Sequence, residues 1–285
     1  MAASVNKAEP VKAKDIHSNS SASPHPRGEA RENKLLRFPV HESSKSRLLG
    51  KLRYWWCWFI AGSLLLVVAT PALLFLWIIN RRAWLYPLAL WGARVWLVAC
   101  GARVKVSGLE NLDPDASYVF ASNHRSYLDT ATLFRYTGKR MGIVAKKELL
   151  KVPVLGPGMS FVNIIAIDRS NSERARRSME KSRQVMEDGY SFGVFVEGTR
   201  AMPGELLPFK KGAFHLALQM QAAIVPVAIR NTDWMMGKRT GVAFPGTIEM
   251  VLLPPVPTVG KTSDDILELM VATRTAIAAE LKTET

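Results

Sequence analysis

The stretch at residues 119–129, Val-Phe-Ala-Ser-Asn-His-Arg-Ser-Tyr-Leu-Asp, joins an apolar run to a polar turn. Residues 118–121 are apolar and predict a short buried strand. His124 follows this run, and Asp129 comes five positions later. Five residues turn through about 500° of an ideal α-helix, so the two side chains would lie on different faces of one continuous helix. They meet only if His124 lies in the turn before a helix and Asp129 in its first turns. The stretch therefore predicts a strand–turn–helix junction.

A histidine at such a junction suits general-base catalysis, because the unperturbed imidazole titrates near neutrality. A carboxylate bonded to the far ring nitrogen fixes the tautomer and stabilises the imidazolium that forms when a hydroxyl proton is taken. The alternative interpretation is structural: Asn123 caps a helix, and His124 is a buried histidine with satisfied hydrogen bonds. The His124/Asp129 pair alone does not decide between the two interpretations.

Three further motifs follow this block in order along the chain. They are Ile165-Ala-Ile-Asp-Arg169, Phe195-Val-Glu-Gly-Thr-Arg200 and Ile224-Val-Pro-Val227, with flanking stretches at residues 146–156 and 207–213. A lone His-x4-Asp is a weak signal, whereas four ordered blocks are specific. With these blocks, residues 85–255 resemble the glycerolipid acyltransferases, the family that includes the 1-acylglycerol-3-phosphate acyltransferases.

The resemblance implies a fold and a reaction. The fold is an α/β domain with a mostly parallel or mixed central sheet flanked by helices, preceded by an N-terminal membrane helix or helical hairpin. The reaction moves a fatty acyl group from acyl-CoA, or acyl carrier protein, to the sn-2 hydroxyl of 1-acyl-glycerol 3-phosphate and yields phosphatidic acid. His124 is the expected base and Asp129 its orienting partner. No acyl-enzyme is expected, because no Gly-x-Ser-x-Gly sequence lies at a strand-to-helix turn, as a nucleophile elbow requires; the match at residues 189–193 lies between a predicted helix and a predicted strand.

The resemblance also implies a binding site for the glycerol phosphate. In Phe-Val-Glu-Gly-Thr-Arg a turn directly follows an apolar strand, where a glycine allows close backbone approach and an arginine can bind phosphate with two hydrogen bonds. Glu197 is expected to arrange the loop, and Ala201 follows it where many relatives have serine. The predicted substrate-binding residues are Glu197, Gly198, Thr199, Arg200, Arg169 and Lys146.

Composition limits the partners. The chain has 38 Lys and Arg against 24 Asp and Glu, a formal net charge of +14. Such a charge suits nucleic acid, an anionic membrane or a phosphorylated substrate. No zinc-finger spacing or aromatic-glycine RNA-binding motif supports nucleic acid. Two cysteines, Cys57 and Cys100, both lie in apolar stretches. We therefore expect membrane lipid and an acyl donor as partners, and no metal or bound cofactor.

Three regions are predicted: a disordered basic tail at residues 1–53, a membrane anchor with an interfacial helix at 54–100, and a catalytic domain at 101–285. Residues 54–79 contain no charged side chain. This uncharged segment is longer than the roughly 20 residues needed to cross a bilayer. Pro71 is expected to kink this segment. Residues 83–99 are expected to lie at the membrane interface. A single span and a hairpin within one leaflet both fit, and the catalytic domain is expected on the cytoplasmic face.

After residue 101, short apolar runs alternate with helical patterns, which favours an α/β layered domain. The predicted strands are residues 103–107, 118–121, 141–145, 164–167, 193–196, 224–229 and 248–253. The predicted helices are residues 129–136, 171–188, 211–221 and 263–282.

Three alternatives to this reaction remain open at this point. The acceptor could be glycerol 3-phosphate, another lysophospholipid or a lyso-ornithine lipid. Water could replace the acceptor, as in a lipid hydrolase or thioesterase, although the missing serine elbow argues against a hydrolase. A membrane-binding module without catalysis is disfavoured by the His124/Asp129 pair.

Overall fold

The computed structural model describes residues 33–39, 46–81, 84–145, 165–166, 180 and 182–282. Two of the predicted binding residues, Lys146 and Arg169, lie outside this part of the chain. So do most of the predicted helix 171–188 and the flanking stretch 146–156. Residues 182–187 of that helix are described and are helical.

A mixed sheet forms the centre of the fold. The strands of the protein are β1 (Leu36–Arg37), β2 (Ala102–Ser107), β3 (Val119–Ser122), β4 (Met141–Ala145), β5 (Ile165–Ala166), β6 (Ser191–Phe195), β7 (Glu205–Leu206), β8 (Ile224–Arg230) and β9 (Gly246–Leu252). In the central sheet, β3 pairs in parallel with β6 on one side and with β8 on the other. The strand β9 runs antiparallel to β8 and parallel to β2, so the spatial order in the described residues is β2-β9-β8-β3-β6-β4-β5. This confirms the predicted α/β class with a mixed sheet.

The helices cover both faces of this sheet. The short helix α6 (Thr232–Met236) was not predicted, because its five residues are too few to show a helical period. The helices are α1 (Arg47–Ser63), α2 (Thr70–Ile78), α3 (Leu85–Ala99), α4 (Tyr127–Tyr136), α5 (Gly212–Met220), α6 (Thr232–Met236) and α7 (Ile266–Lys282), with 3-10 turns at Leu109–Asn111 and Ser263–Asp265.

Two hydrophobic cores lie on opposite faces of the sheet, and β3 contributes to both. Val119 and Ala121 pack in the core that contains α5 and α7, whereas Phe120 packs in the core that contains α3 and α4. Successive side chains of a strand point to opposite faces. A strand covered on both faces must be apolar at every position, which is why residues 118–121 form an unbroken apolar run.

The apolar N-terminal helix begins earlier than predicted. Within the described residues one helix, Arg47–Ile78, is long and apolar enough to cross a membrane, and none of its most apolar window is buried. A π-helical turn, Leu64–Ala69, separates α1 from α2 directly before Pro71. Proline has no amide hydrogen, and its ring clashes with the carbonyl four residues earlier in a regular helix. The expected effect of Pro71 therefore takes the form of a wider turn.

The prediction of disorder through residue 53 is wrong for part of the tail. Ser46 is the N-cap of α1, and residues 47–53 form the first turns of this helix. Nearer the N-terminus, β1 pairs antiparallel with β7. Phe38 is buried in the core that contains α5 and α7, and its N–H donates to the Gly204 carbonyl at 2.6 Å. Arg274 of α7 donates to the carbonyls of both Lys34 and Leu207. The apolar segment Leu35-Leu-Arg-Phe38 makes this contact possible, although the N-terminal region around it is polar in composition.

Candidate active site

The turn after β3 connects two elements that the sequence placed at a junction. β3 ends at Ser122, and α4 begins at Tyr127 with Ser126 as its N-cap. The Asn123 side chain accepts from the Ile229 N–H at 2.8 Å and donates to the Ile229 carbonyl at 2.9 Å. It therefore extends the β3–β8 pairing by one residue and anchors the turn. The helix cap is Ser126 and not Asn123, contrary to the structural alternative.

The carboxylate of Asp129 receives three donors at one oxygen. Asp129 Oδ2 accepts from the backbone N–H groups of Arg125 and Ser126, each at 2.7 Å, and lies 3.0 Å from His124 Nδ1. The Ser126 hydroxyl completes a capping box by accepting from Leu128 N. Asp129 is fully buried. Since a carboxylate can only accept, the contact selects the Nδ1–H tautomer and leaves Nε2 with a lone pair.

The His124 ring is fixed by packing as well as by hydrogen bonds. It stacks on Phe195, the last residue of β6, with centroids 3.8 Å apart and planes inclined by 15°. Its side chain is 14% exposed. The His124 carbonyl accepts from Ala201 N at 2.7 Å. The His124 backbone, one face of its ring and Nδ1 are therefore all constrained, while the side chain stays partly exposed to solvent.

Glu197 lies behind the histidine and not at the surface. Its Oε1 accepts from His124 N and its Oε2 from Leu207 N, both at 2.7 Å. Burial raises the pKa of the Glu197 carboxyl to about 7, and the hydrogen bonds from Leu207 and His124 oppose this rise. The carboxylate thus joins the histidine turn to the segment that precedes α5, which is the arrangement needed to position a loop.

The predicted phosphate loop forms a tight turn after β6. Gly198 has φ = +70°, a conformation that favours glycine, and its N–H donates to the Phe195 carbonyl at 3.0 Å. Gly198 and Thr199 are exposed, and Arg200 is half-buried. The Arg200 carbonyl accepts from Lys238 Nζ. The next residue, Ala201, donates its N–H to the His124 carbonyl. The loop and the histidine therefore lie together at the carboxyl ends of the neighbouring parallel strands β6 and β3.

Arg200 and Tyr127 are in direct contact. The guanidinium carbon lies 3.6 Å from the centroid of the Tyr127 ring. Tyr127 in turn meets Trp58 of α1 edge-on, with centroids 5.1 Å apart and planes inclined by 81°. Neither aromatic residue was among the predicted site residues, because no local sequence pattern indicates their contact.

A buried ion pair was also missed. Arg125 is fully buried; its Nη1 donates to Asp233 Oδ2 at 3.0 Å and its Nε to the Glu205 carbonyl at 2.8 Å. Asp233 Oδ2 also accepts from Gly204 N at 3.0 Å. The one available signal was a charged residue inside a block flanked by buried positions, and it did not identify a partner.

No group of three or more His, Cys, Asp or Glu side chains that could bind a metal occurs among the described residues. The absence of a metal or bound cofactor stays a prediction, as do the binding roles of Lys146 and Arg169.

Residues 103–230 match the family model described as Acyltransferase. The chain is 38% identical to an uncharacterized acyltransferase of Schizosaccharomyces pombe over 178 residues, 61% of this chain and 64% of the relative. It is 38% identical to the 1-acyl-sn-glycerol-3-phosphate acyltransferase alpha of Mus musculus over 168 residues, 58% of this chain and 59% of the relative. The chain therefore spans less than two thirds of the length of these relatives.

A solved structure has a similar fold. The crystal structure of the 1-acyl-sn-glycerophosphate acyltransferase PlsC from Thermotoga maritima superposes with a TM-score of 0.68 at 23% identity, covering 82% of this chain and 95% of that chain. The family match includes the turn with His124 and Asp129, the loop with Arg200, and β8. Residues 103–230 thus match the Acyltransferase family model, and the chain is similar in sequence to 1-acyl-sn-glycerol-3-phosphate acyltransferases over about 60% of its length.

Proposed function

We propose that this protein transfers a fatty acyl group from an acyl thioester to the sn-2 hydroxyl of 1-acyl-glycerol 3-phosphate, forming phosphatidic acid. The observation that carries the proposal is the 3.0 Å contact between His124 Nδ1 and Asp129 Oδ2. It lies beside a loop that presents Arg200 and is bonded to the same turn. This acceptor requires a base for its hydroxyl and a cation for its phosphate, close together at the carboxyl ends of the central strands.

His124 acts as general base through Nε2. It takes the proton of the sn-2 hydroxyl as the hydroxyl oxygen attacks the thioester carbonyl carbon. The tetrahedral intermediate expels the thiolate, and the imidazolium returns the proton to the sulfur. Asp129 keeps the Nδ1–H tautomer and stabilises the imidazolium. Attack is direct, so no acyl-enzyme forms.

Arg200 binds the acceptor phosphate with its guanidinium, which can form two parallel hydrogen bonds to phosphate oxygens. Thr199 lies next to it in the chain and is exposed, and its hydroxyl can contribute another hydrogen bond. Arg169 and Lys146 are proposed as further phosphate ligands from their motifs alone. Glu197 acts behind the loop by fixing His124 N and Leu207 N.

The helix Arg47–Ile78 is proposed as the membrane anchor, with the catalytic domain on the cytoplasmic face. Its exposed aromatic side chains include Trp55, Trp56 and Trp77, and tryptophan is enriched at bilayer interfaces. An anchored active site meets an acceptor that already carries one acyl chain and releases a product that stays in the bilayer. The acyl donor is acyl-CoA or acyl carrier protein, and no nucleic acid takes part.

The test uses the full chain in detergent micelles with radiolabelled acyl-CoA or acyl carrier protein. Separate reactions contain lysophosphatidic acid, glycerol 3-phosphate, another lysophospholipid, a lyso-ornithine lipid or no acceptor. Phosphatidic acid that requires lysophosphatidic acid and disappears in His124→Ala supports the proposal. The control is His215→Ala, because His215 is exposed on α5. Free fatty acid without acceptor would indicate a hydrolase, and an active His124→Ala variant would contradict the base assignment.

A further inference from the structure

The contact between Arg200 and Tyr127 places a flexible cation on a rigid surface. At 3.6 Å from the ring centroid, the guanidinium carbon lies at stacking distance. A guanidinium that stacks through its face keeps its N–H groups directed outward in its own plane. The Arg200 guanidinium can therefore stack on Tyr127 and bind phosphate with two hydrogen bonds at the same time. The stacking restricts the orientation in which the guanidinium meets the phosphate.

The Arg200 backbone is already fixed at two points. Its carbonyl accepts from Lys238 Nζ, and the following N–H, of Ala201, donates to His124 O. The remaining freedom is in the long side chain, and ordering it on binding costs conformational entropy. A contact that pre-orders the side chain lowers this cost, so its effect should appear in acceptor binding.

Tyr127 is itself constrained from two directions. It is the first residue of α4, directly after the capping Ser126. Its ring meets Trp58 of α1 in a T-shaped arrangement, and the Trp58 ring centroid also lies 6.2 Å from that of Tyr54. Tyr127 is 40% exposed, so part of its side chain lies at the protein surface. Trp58, Tyr127 and Arg200 form a row from the proposed anchor helix to the proposed phosphate loop.

We propose that Tyr127 is a positioning residue that pre-orients the Arg200 guanidinium for the acceptor phosphate, and that Trp58 stabilises the Tyr127 ring from the anchor helix. This inference rests on the proposed function, in which Arg200 binds that phosphate. Tyr127 touches neither the reacting hydroxyl nor the thioester in this assignment. Its loss should therefore weaken acceptor binding and leave the chemical step nearly unchanged.

The test measures initial rates against lysophosphatidic acid in micelles of fixed composition, with acyl donor saturating and then varied. Tyr127→Leu should raise the KM for lysophosphatidic acid about 3- to 30-fold, the range that loss of one cation–π contact predicts. The kcat and the KM for the acyl donor should change less than about twofold. Tyr127→Phe keeps the aromatic face and should behave as wild type.

Two further arms test the coupling. Arg200→Ala should raise the same KM, and adding Tyr127→Leu to it should raise the KM no further, because the contact is already absent. Trp58→Leu should give a smaller rise that disappears in the Tyr127→Leu background. Thermal unfolding of each variant checks that the fold is intact, and Tyr127→Gln replaces Tyr127→Leu if the leucine variant unfolds.

The outcomes separate the two proposals. A raised KM in Arg200→Ala with a wild-type KM in both Tyr127→Leu and Tyr127→Gln would overturn the positioning role alone. Additive effects in the double variant, or a fall in kcat without a change in KM, would also overturn it. An Arg200→Ala variant with wild-type KM would overturn the phosphate assignment and this inference together.

Discussion

Arg125 donates to Asp233 Oδ2 at 3.0 Å although 108 residues separate them, and the two side chains are only 0% and 6% exposed. The pair connects the residue after His124 to α6. Through Glu205 O and Gly204 N, it also connects both to the segment after the phosphate loop. A buried ion pair of this kind need not add net stability, but removing one partner leaves an uncompensated charge.

Asp233→Ala should therefore destabilise the protein strongly. We expect a loss of about 3–5 kcal/mol in the free energy of unfolding, the usual cost of breaking a buried pair. The double variant Arg125→Met/Asp233→Leu should lose less than the two single variants together, because it removes both charges. Denaturant unfolding in micelles measures the change.

The control for this prediction is an exposed ion pair. Arg183 and Glu187 are about half exposed, and Glu187→Ala should cost less than about 1 kcal/mol. If Asp233→Ala costs no more than Glu187→Ala, the buried pair does not fix the catalytic turn.

Glu197 should make stability depend on pH. Burial raises the pKa of its carboxyl from 4.5 to about 7 in the folded protein, so the folded state binds more protons than the unfolded state between these values. Stability contributed by this group is therefore present at low pH and is lost as pH rises from about 4.5 to about 7. Glu197→Gln should remove this decline. Unfolding midpoints at pH 5, 6, 7 and 8 give the comparison.

The same substitution should reduce activity. A glutamine retains one acceptor oxygen, so only one of the N–H groups of His124 and Leu207 keeps its partner. We expect kcat to fall about tenfold, the scale of one weakened positioning contact of about 1.4 kcal/mol. Glu187→Gln, which changes an exposed carboxylate, should alter neither the pH profile nor kcat. A wild-type pH profile in Glu197→Gln would contradict the assignment of the titrating group.

Asp129→Asn tests the base assignment with little change of shape. The amide cannot enforce the Nδ1–H tautomer, so kcat should fall about 10²- to 10⁴-fold. Stability should fall by about 1 kcal/mol through the weakened helix cap. Rates at saturating substrate and thermal unfolding measure the two effects.

A second capping box in the described part of the chain supplies a matched control. Asp265 Oδ2 accepts from Thr262 N at 2.7 Å in an exposed turn. Asp265→Asn should therefore show a similar small loss of stability with unchanged kcat. Equal activity in the two variants would contradict a catalytic role for Asp129.

Local patterns predicted the central features because their causes are local. The unbroken apolar run before His124 follows from burial of β3 on both faces, and the five-residue spacing to Asp129 limits the backbone to a junction. The Arg125–Asp233 pair and the Arg200–Tyr127 contact depend on chain segments that the fold brings together from 108 and 73 residues apart. No periodicity records such contacts, so the sequence could not predict them.

The last prediction concerns the segment around β1, which was expected to be disordered because the composition of the N-terminal region is polar. Phe38 is 9% exposed and packs in the core that contains α5 and α7. Its ring centroid lies 5.4 Å from the guanidinium carbon of Arg125. Phe38→Ala should lower the free energy of unfolding by about 3–5 kcal/mol, the range for a buried aromatic side chain. Leu35, at 41% exposure, is the control, and Leu35→Ala should cost less than about 0.5 kcal/mol. Denaturant unfolding of the full chain distinguishes the two. If Phe38→Ala were as mild as Leu35→Ala, β1 would not be part of the folded domain in solution, and the contact of Phe38 with Arg125 could not stabilise the catalytic turn.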